Sequence, residues 1–126
     1  MLKLLIAEDD RDLSKFLRDE LTDAGFSVSL VTNGAEAVVR AAEEHFDVFV
    51  LDMLMPGLDG IQAARVLRKV APGVPIIGLT GYVGHGYMAQ AAALDMVCLA
   101  KPVVVTDLLR EIDEALRFAA KKSLIR

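Results

Sequence analysis

Short apolar runs alternate with longer segments in which apolar residues recur at helical spacing. The apolar runs predict five strands, at residues 2–7, 27–31, 48–51, 76–79 and 96–99. The segments between and after these runs predict five helices. Strands and helices that alternate in this way form a parallel sheet with right-handed crossovers and helices on both faces. We therefore predict an α/β fold with a doubly wound five-stranded sheet, for which the common strand order is 2-1-3-4-5.

Capping residues divide the predicted helices. Gly25 follows the first amphipathic segment and predicts its end. Asn33 and Asp59 are each followed three positions later by Glu or Gln, a spacing typical of a capping box at a helix start. Thr106 is the predicted N-cap of the last helix, because a threonine hydroxyl can accept a hydrogen bond from a backbone amide of the first turn. For the second helix, the apolar spacing predicts an inner face with Val38, Val39 and Ala42.

The fourth helix has the weakest signal. Three glycines within residues 81–86 favour a loop over a helix, so we expect this helix to begin late, near Tyr87. At the other end of the chain, residues 121–126 are expected to form a short tail. The length of 126 residues is that of one domain, which we place at residues 1–126.

Composition and charge exclude several classes of protein. Hydrophobic residues make up 54% of the chain, which favours strands covered on both faces and an ordered core. The single cysteine, Cys98, and the lack of a leader or a long apolar run predict a soluble cytoplasmic protein without a membrane segment. The net charge of −4 argues against direct binding of nucleic acid, because neutralising phosphates requires clustered Lys and Arg.

Carboxylates cluster where two predicted strands end. Glu8 and Asp9 follow the first strand, and Asp52 follows the third. In the order 2-1-3-4-5, which is that of flavodoxin-like sheets, these strands are neighbours and the ligand crevice lies between their carboxyl ends. Like charges at such a distance repel, so a cation is expected among them. An all-oxygen site that keeps some water suits Mg²⁺, with Mn²⁺ as the substitute.

Two further polar residues follow neighbouring strands. Lys101 comes after the fifth strand, where its ammonium can reach a phosphoryl oxygen as a point charge. Thr80 ends the fourth strand and offers a hydroxyl to a second such oxygen. Asp52 is expected to be ionised at neutral pH and is therefore a candidate nucleophile toward phosphorus. The set predicts a site for a phosphoryl group.

These motifs together resemble a response-regulator receiver domain, over essentially the whole chain. The matching motifs are the acidic pair Glu8-Asp9, the segment at residues 51–60 that contains Asp52, the pair Leu79-Thr80 and the pair Lys101-Pro102. The resemblance implies a phosphoacceptor of a two-component phosphorelay and a cis peptide before Pro102. It also implies a protein that is not an enzyme beyond slow self-dephosphorylation.

The resemblance also implies a role for each site residue. Asp52 would accept the phosphoryl group from a histidine kinase or a phosphotransfer protein. Asp9, Asp52 and the backbone carbonyl of Leu54 would hold the metal, with Glu8 acting through water. Lys101 and Thr80 would bind the phosphoryl oxygens.

The chain departs from the family pattern at the residues expected to report the switch. Cys98 stands where the family commonly has Tyr or Phe, and Gly81 stands where alanine is usual. A thiol cannot rotate inward as an aromatic ring does, so a receiver-like interaction module that no longer switches by the aromatic mechanism is the alternative function. Activation would then appear as ordering of residues 81–86. An apolar surface within residues 87–118 is a candidate homodimer face.

Two other classes of function share parts of this pattern. An aspartate-dependent phosphohydrolase needs a second acid two positions after the nucleophile, where this chain has Leu54. A flavin carrier would bind phosphate after the first strand, where the carboxylates would repel it. His45 and His85 lack a second ligand at metal spacing and are expected on the surface or in a loop. The downstream partner is not predicted by these patterns.

Overall fold

A computed structural model describes residues 1–81 and 87–125 and contains a five-stranded parallel sheet of order β2-β1-β3-β4-β5. The strands are β1 (Lys3–Ala7), β2 (Ser27–Val31), β3 (Val48–Asp52), β4 (Ile76–Thr80) and β5 (Val97–Ala100). The helices are α1 (Arg11–Asp23), α2 (Gly34–Glu43), α3 (Gly60–Val70), α4 (Tyr87–Ala93) and α5 (Val105–Ile125). The predicted flavodoxin-like fold class and strand order are confirmed.

The helices cover both faces of the sheet. On one face, Leu17 of α1 and Ile112 of α5 pack with the β1, β3 and β4 side chains that point to that side. On the other face, Ala37 of α2, Leu67 of α3 and Ala91 of α4 pack against the opposite side chains. Both faces of the central strands are covered, so every residue of β3 and β4 is buried. The sheet is therefore a rigid base that aligns the carboxyl ends of its strands.

Most of the predicted helix boundaries agree with the structure. Asn33 caps α2 by accepting from the Glu36 amide, and Asp59 forms a full capping box with Gln62 at the start of α3. Gly25 follows α1 with φ 101, a conformation that glycine adopts without steric cost. The prediction for Thr106 is wrong, because α5 begins one residue earlier and Thr106 lies within its first turn.

The inner face of α2 also differs from the prediction. Val39 is 54% exposed and Ala42 is exposed, whereas Ala37 is fully buried. Val38 packs partly buried against the core, as predicted, and Ala37 and Ala41 share that face. The prediction of Val39 and Ala42 as inner-face residues is wrong.

The second half of the chain follows the predicted order. Helix α4 begins at Tyr87, as expected, and has seven residues. Residues 82–86, with His85 and two of the loop glycines, lie outside the described residues. The segment expected to be a short tail continues α5 as helix up to Ile125. Within residues 1–81 and 87–125, no helix has both the length and the apolarity needed to cross a bilayer.

Candidate functional site

Three acids from two neighbouring strands meet at the carboxyl edge of the sheet. Glu8 directly follows β1 and is 1% exposed, Asp52 is the last residue of β3 and is 4% exposed, and Asp9 is exposed at the mouth of the site. One carboxylate oxygen from each lies within 4.8 Å of the others. The register of β1 with β3 causes this meeting, since Ala7 pairs with Leu51 and the next residues leave the two strands together. The sequence prediction that these acids converge is confirmed.

Lys101 brings a positive charge into the same crevice from β5. Its Nζ lies 2.7 Å from Glu8 Oε1 and 3.4 Å from Asp52 Oδ2. The Lys101 backbone N–H donates to the Thr80 carbonyl at 2.8 Å, which continues the pairing of β4 with β5 by one residue. The Lys101–Pro102 peptide is cis, in agreement with the expectation from the resemblance.

Thr80 and Gly81 lie at the end of β4, between the strands that carry Asp52 and Lys101. Thr80 is the last residue of that strand and is 1% exposed, whereas Gly81 is exposed. A Cβ at position 81 would meet only the Lys101 stem, at 3.8 Å, which is an ordinary contact. The backbone beside Lys101 therefore leaves room for a small side chain and does not require glycine.

Backbone hydrogen bonds hold the segment that follows β3. The Leu54 N–H donates to Asp52 Oδ1 at 3.2 Å, while the Leu54 side chain is 45% exposed. The Met53 N–H donates to the Leu79 carbonyl at 2.9 Å, and the Gly60 N–H donates to the Met53 carbonyl at 3.3 Å. The turn is thus attached both to β4 and to the start of α3, and the amide of its second residue, Leu54, points at the Asp52 carboxylate.

The charge state of Asp52 differs from the expectation. Burial, followed by the neighbouring Glu8 carboxyl, raises the pKa of Asp52 from 3.8 to about 7, although the Leu54 amide and Lys101 act in the opposite direction. The prediction that Asp52 is fully ionised at neutral pH is therefore wrong for the metal-free protein. Burial tends to lower the pKa of Lys101, but its contacts with Glu8 and Asp52 outweigh this and raise it, so Lys101 is charged.

The donor set fits a hard divalent cation. All three clustered side chains offer carboxylate oxygens, which Mg²⁺ prefers, and the exposure of Asp9 leaves one side open to water. Glu8 Oε1 is buried, and its partner is Lys101 Nζ at 2.7 Å, which offsets its charge. A single ammonium shared by two buried carboxylates leaves a net negative crevice, and a cation would relieve it.

Cys98 occupies the middle of β5 and does not face the acidic crevice. It is half-buried, packs against the core below α3 and α4, and burial raises the pKa of its thiol. The thiol is therefore protonated and inert at neutral pH, in agreement with the expectation of a strand thiol. His45 is also on the surface as expected, 3.2 Å from Asp47.

Two residues near the site were not predicted as functional. Met53 directly follows Asp52 and is fully buried, and Gly78 interrupts the otherwise apolar β4. A glycine in a strand interior often marks the close approach of another group, so Gly78 was the available signal in the sequence. The Met53 and Cys98 side chains are the groups that approach it, with Sδ and Sγ each 2.7 Å from where a Gly78 Cβ would lie.

Comparison with known proteins identifies the family. The profile described as "Response regulator receiver domain" matches residues 4–113. The chain belongs to the response regulator receiver domain family. Receiver domains accept phosphoryl groups in two-component signalling, which confirms the family and the function predicted from the motifs. At the same coarse level, receivers bind Mg²⁺ at an acidic cluster, and histidine kinases supply their phosphoryl groups.

Curated relatives of this receiver domain differ in length. The response regulator receiver protein CpdR of Brucella abortus is 37% identical over 92% of this chain and 98% of its own length. The response regulator MprA of Mycobacterium leprae is 35% identical over 92% of this chain, and the transcriptional regulatory protein CusR of Escherichia coli is 34% identical over 94%. The chain spans only 51% of MprA and 53% of CusR.

Solved structures share the same architecture. A receiver domain from Methanospirillum hungatei superposes with a TM-score of 0.92 over 97% of this chain and 98% of its own, at 24% identity. The signal receiver domain of a diguanylate cyclase from Desulfovibrio desulfuricans has a TM-score of 0.88 over 97% and 99%, at 32% identity. The response regulator TrrA from Thermotoga maritima, solved in complex with Mg²⁺ and BeF, has a TM-score of 0.83 over 92% and 100%, at 27% identity.

Proposed function

We propose that Asp52 is the residue that accepts the phosphoryl group in this receiver domain. The observation that carries the proposal is the position of its carboxylate, which lies at the end of a buried strand with Lys101 Nζ 3.4 Å from one oxygen. The oxygen attacks phosphorus, the bond from phosphorus to the donor breaks, and the donor leaves with the electron pair. Because an ionised carboxylate needs no base, the pocket has only to hold Asp52 in its charged form.

We propose that Asp9, Asp52 and the Leu54 backbone carbonyl hold Mg²⁺ directly, and that Glu8 acts through a bound water. The oxygen donor set supports this assignment, as does the shortage of positive charge beside Glu8 and Asp52, which share the one ammonium of Lys101. When bound, the cation supplies positive charge that favours ionised Asp52 and neutralises the phosphoryl oxygens. Mn²⁺ is the proposed substitute, because it accepts the same ligands.

Lys101 and Thr80 are the proposed partners of the phosphoryl oxygens. Lys101 already lies between Glu8 and Asp52, so its ammonium needs only a short movement to contact a group on Asp52. Thr80 ends the adjacent strand, and the exposed backbone of Gly81 leaves an approach for the donor. Leu54 stands at the position where a phosphohydrolase has the acid that protonates the leaving group. We therefore propose slow self-dephosphorylation and no other enzymatic activity.

We propose that residues 1–126 form one receiver domain in the cytoplasm. The donor is a histidine kinase or a phosphotransfer protein, and the output is a change in the surface presented to a protein partner, with no direct contact to nucleic acid or membrane. The candidate homodimer face within residues 87–118 includes exposed Val97 and Val104, which supports its use as an apolar contact.

Cys98 favours a second candidate, a receiver-like module that does not switch by aromatic rotation. The thiol lies against the core and close to where a Gly78 side chain would be, which leaves no ring at this position to move inward. Both candidates include the acidic pocket. They differ in whether phosphorylation changes the surface beyond β4.

The decisive experiment is incubation with Mg²⁺ and acetyl phosphate, followed by mass spectrometry of the intact protein. We expect the wild type to gain the mass of one phosphoryl group and Asp52→Asn to gain none. Asp59→Asn is the matched control, because it makes the same chemical change seven residues away and keeps a good helix cap. Equal labelling of wild type and Asp52→Asn would exclude Asp52 as the acceptor.

Hydrogen exchange with and without beryllofluoride separates the two candidates. A switching receiver should show altered protection from exchange in residues 81–93 when beryllofluoride and Mg²⁺ are added. The protection of the five strands should be unchanged. Protection that is identical in both states would support the non-switching module.

Sedimentation of the same two samples, with Val104→Asp as a control, tests the proposed homodimer face.

A further inference from the structure

The Met53 side chain fills a slot that two glycines leave open. A Cβ built on Gly78 would lie 2.7 Å from Met53 Sδ, and one built on Gly60 would lie 2.8 Å from the same atom. Contacts this short do not occur, so a side chain on Gly78 would displace the thioether. A side chain on Gly60 would meet backbone atoms as well, because the Met53 Cα lies 2.6 Å and the Asp52 carbonyl oxygen 2.7 Å from the Cβ position. Met53 itself is fully buried and immediately follows Asp52. The slot is therefore occupied by the side chain of Met53, the residue that directly follows the proposed phosphoacceptor.

Cys98 completes one wall of this slot. Its Sγ also lies 2.7 Å from the Cβ position of Gly78, so the two sulfur atoms are neighbours, separated by at most twice that distance. Together they take the space that a side chain on β4 would otherwise fill. The small residue at position 98 and the glycine at position 78 are thus explained by one requirement, which is room for the Met53 thioether.

The same residue fixes the backbone that contacts Asp52. The Met53 N–H donates a hydrogen bond to the Leu79 carbonyl on β4, and the Met53 carbonyl accepts one from the Gly60 N–H on α3. The backbone of Met53 is therefore held from both sides. The next amide, that of Leu54, donates to Asp52 Oδ1 at 3.2 Å. A shift of Met53 would move the Leu54 amide, and with it the Leu54 carbonyl that the proposed function places among the metal ligands.

We infer that Met53 is a positioning residue for phosphorylation, with its thioether anchored among Gly60, Gly78 and Cys98 so that Leu54 is held against Asp52. This inference rests on the proposed function of Asp52. Met53 acts through Leu54 and need not touch the metal or the phosphoryl group. Its identity should therefore affect how well the pocket binds Mg²⁺ and reacts, beyond its effect on stability.

The test compares Met53→Ala with two matched variants. Met53→Leu keeps an apolar side chain of similar volume, and Leu67→Ala removes a fully buried side chain from the same core away from the phosphoacceptor segment. For each variant that is folded by circular dichroism, two quantities are measured: the rate of Asp52 phosphorylation by acetyl phosphate and the Mg²⁺ concentration at half-maximal rate. Both are followed by intact mass.

We expect Met53→Ala to slow phosphorylation by about tenfold and to raise the half-maximal Mg²⁺ concentration, because small displacements of a positioned group are costly. Met53→Leu should stay within about twofold of wild type, since it keeps most of the anchor. Leu67→Ala should lower the melting temperature without changing either quantity. If Met53→Ala and Leu67→Ala behave alike in both kinetic measurements, Met53 is only a core residue and the inference fails.

Gly78→Ala tests the slot without removing any atom from it. Its added methyl group would lie 2.7 Å from both sulfurs, so the thioether must move. We expect slower phosphorylation than wild type and a higher half-maximal Mg²⁺ concentration, and wild-type values for both would overturn the inference. If wild type itself shows no Mg²⁺-dependent labelling, the proposed function fails first. Normal labelling of wild type together with normal labelling of Met53→Ala rejects the positioning role alone.

Discussion

Replacement of Asp52 by asparagine should stabilise the metal-free protein. The carboxylate is 4% exposed and its pKa is raised to about 7 by burial and by Glu8. Above that pH the folded state must hold an ionised Asp52 that the unfolded chain carries at no cost. Asparagine has nearly the same shape, keeps an oxygen for the Leu54 amide and removes the charge. The free energy of unfolding should therefore rise.

The size of the effect follows from the shift. Moving a pKa from 3.8 to about 7 corresponds to about 4 kcal/mol at roughly 1.36 kcal/mol per unit. This shift already includes the attraction to Lys101, so we expect a net gain of about 3 to 4 kcal/mol at pH 8. For a chain of this length, about 3 kcal/mol is a rise of about 10 °C in melting temperature.

The sign of the pH dependence follows from the same shift. The folded pKa of Asp52 lies above the unfolded value, so the folded state binds more protons between pH 3.8 and about 7. Wild-type stability should therefore fall as pH rises through this window and level off above it, as far as Asp52 contributes. The Asp52→Asn variant lacks this contribution, so its advantage should be small near pH 4 and largest at pH 8.

Magnesium should reduce the advantage of the variant. A ligand at ten times its dissociation constant stabilises the protein that binds it by about 1.4 kcal/mol, and asparagine weakens the site. The assay is urea unfolding of both proteins at several pH values, with EDTA or with Mg²⁺. Our reasoning is refuted if the variant is less stable than wild type at pH 8 in EDTA, or if its advantage is the same at every pH.

Three further changes test other parts of the structure. Lys101→Met leaves Glu8 and Asp52 without their ammonium, and we expect a loss of about 3 kcal/mol in EDTA by urea unfolding, together with slower labelling by acetyl phosphate. Arg68→Ala removes hydrogen bonds to the backbone carbonyls at positions 74, 94 and 95, and should cost about 2 kcal/mol and speed hydrogen exchange in α4. Asp59→Ala breaks the capping box of α3 and should cost about 1 kcal/mol, whereas Asp59→Asn should cost little.

The sequence predicts the strand order and the site because both depend on strongly patterned residues. Strand ends are marked by a change from apolar to charged residues, and the parallel order brings Glu8, Asp52 and Lys101 to one edge without detailed knowledge of packing. Capping at Asn33 and Asp59 is equally local, since it involves residues only three positions apart. Features that depend on short-range chemistry are thus predictable.

Features that depend on tertiary packing were predicted poorly. In α2, Ala37 is buried while the larger Val39 is exposed, so the apolar character of a residue does not by itself decide which side of the helix faces the core. The slot around Met53 depends on the distances among residues far apart in sequence, and only Gly78 hinted at it. The predicted start of α5 is one residue late: Thr106 has a good capping side chain, but the Asp107 and Leu108 amides donate to the Val104 carbonyl and the helix begins at Val105.

The raised pKa of Asp52 links these two groups of features to function. The acids themselves are read from the sequence. Burial and the proximity of Glu8 make the ionised form of Asp52 unfavourable, and these two factors can be assessed only when the fold is known. A pocket in which one ammonium serves two buried carboxylates is poorly balanced when empty, and added positive charge improves it. In the proposed function, the same imbalance would make the ionised, reactive form of Asp52 depend on the cation. Reactivity and metal binding are thus coupled through one charge, and changes that keep the fold but move Leu54 or Lys101 should weaken both together.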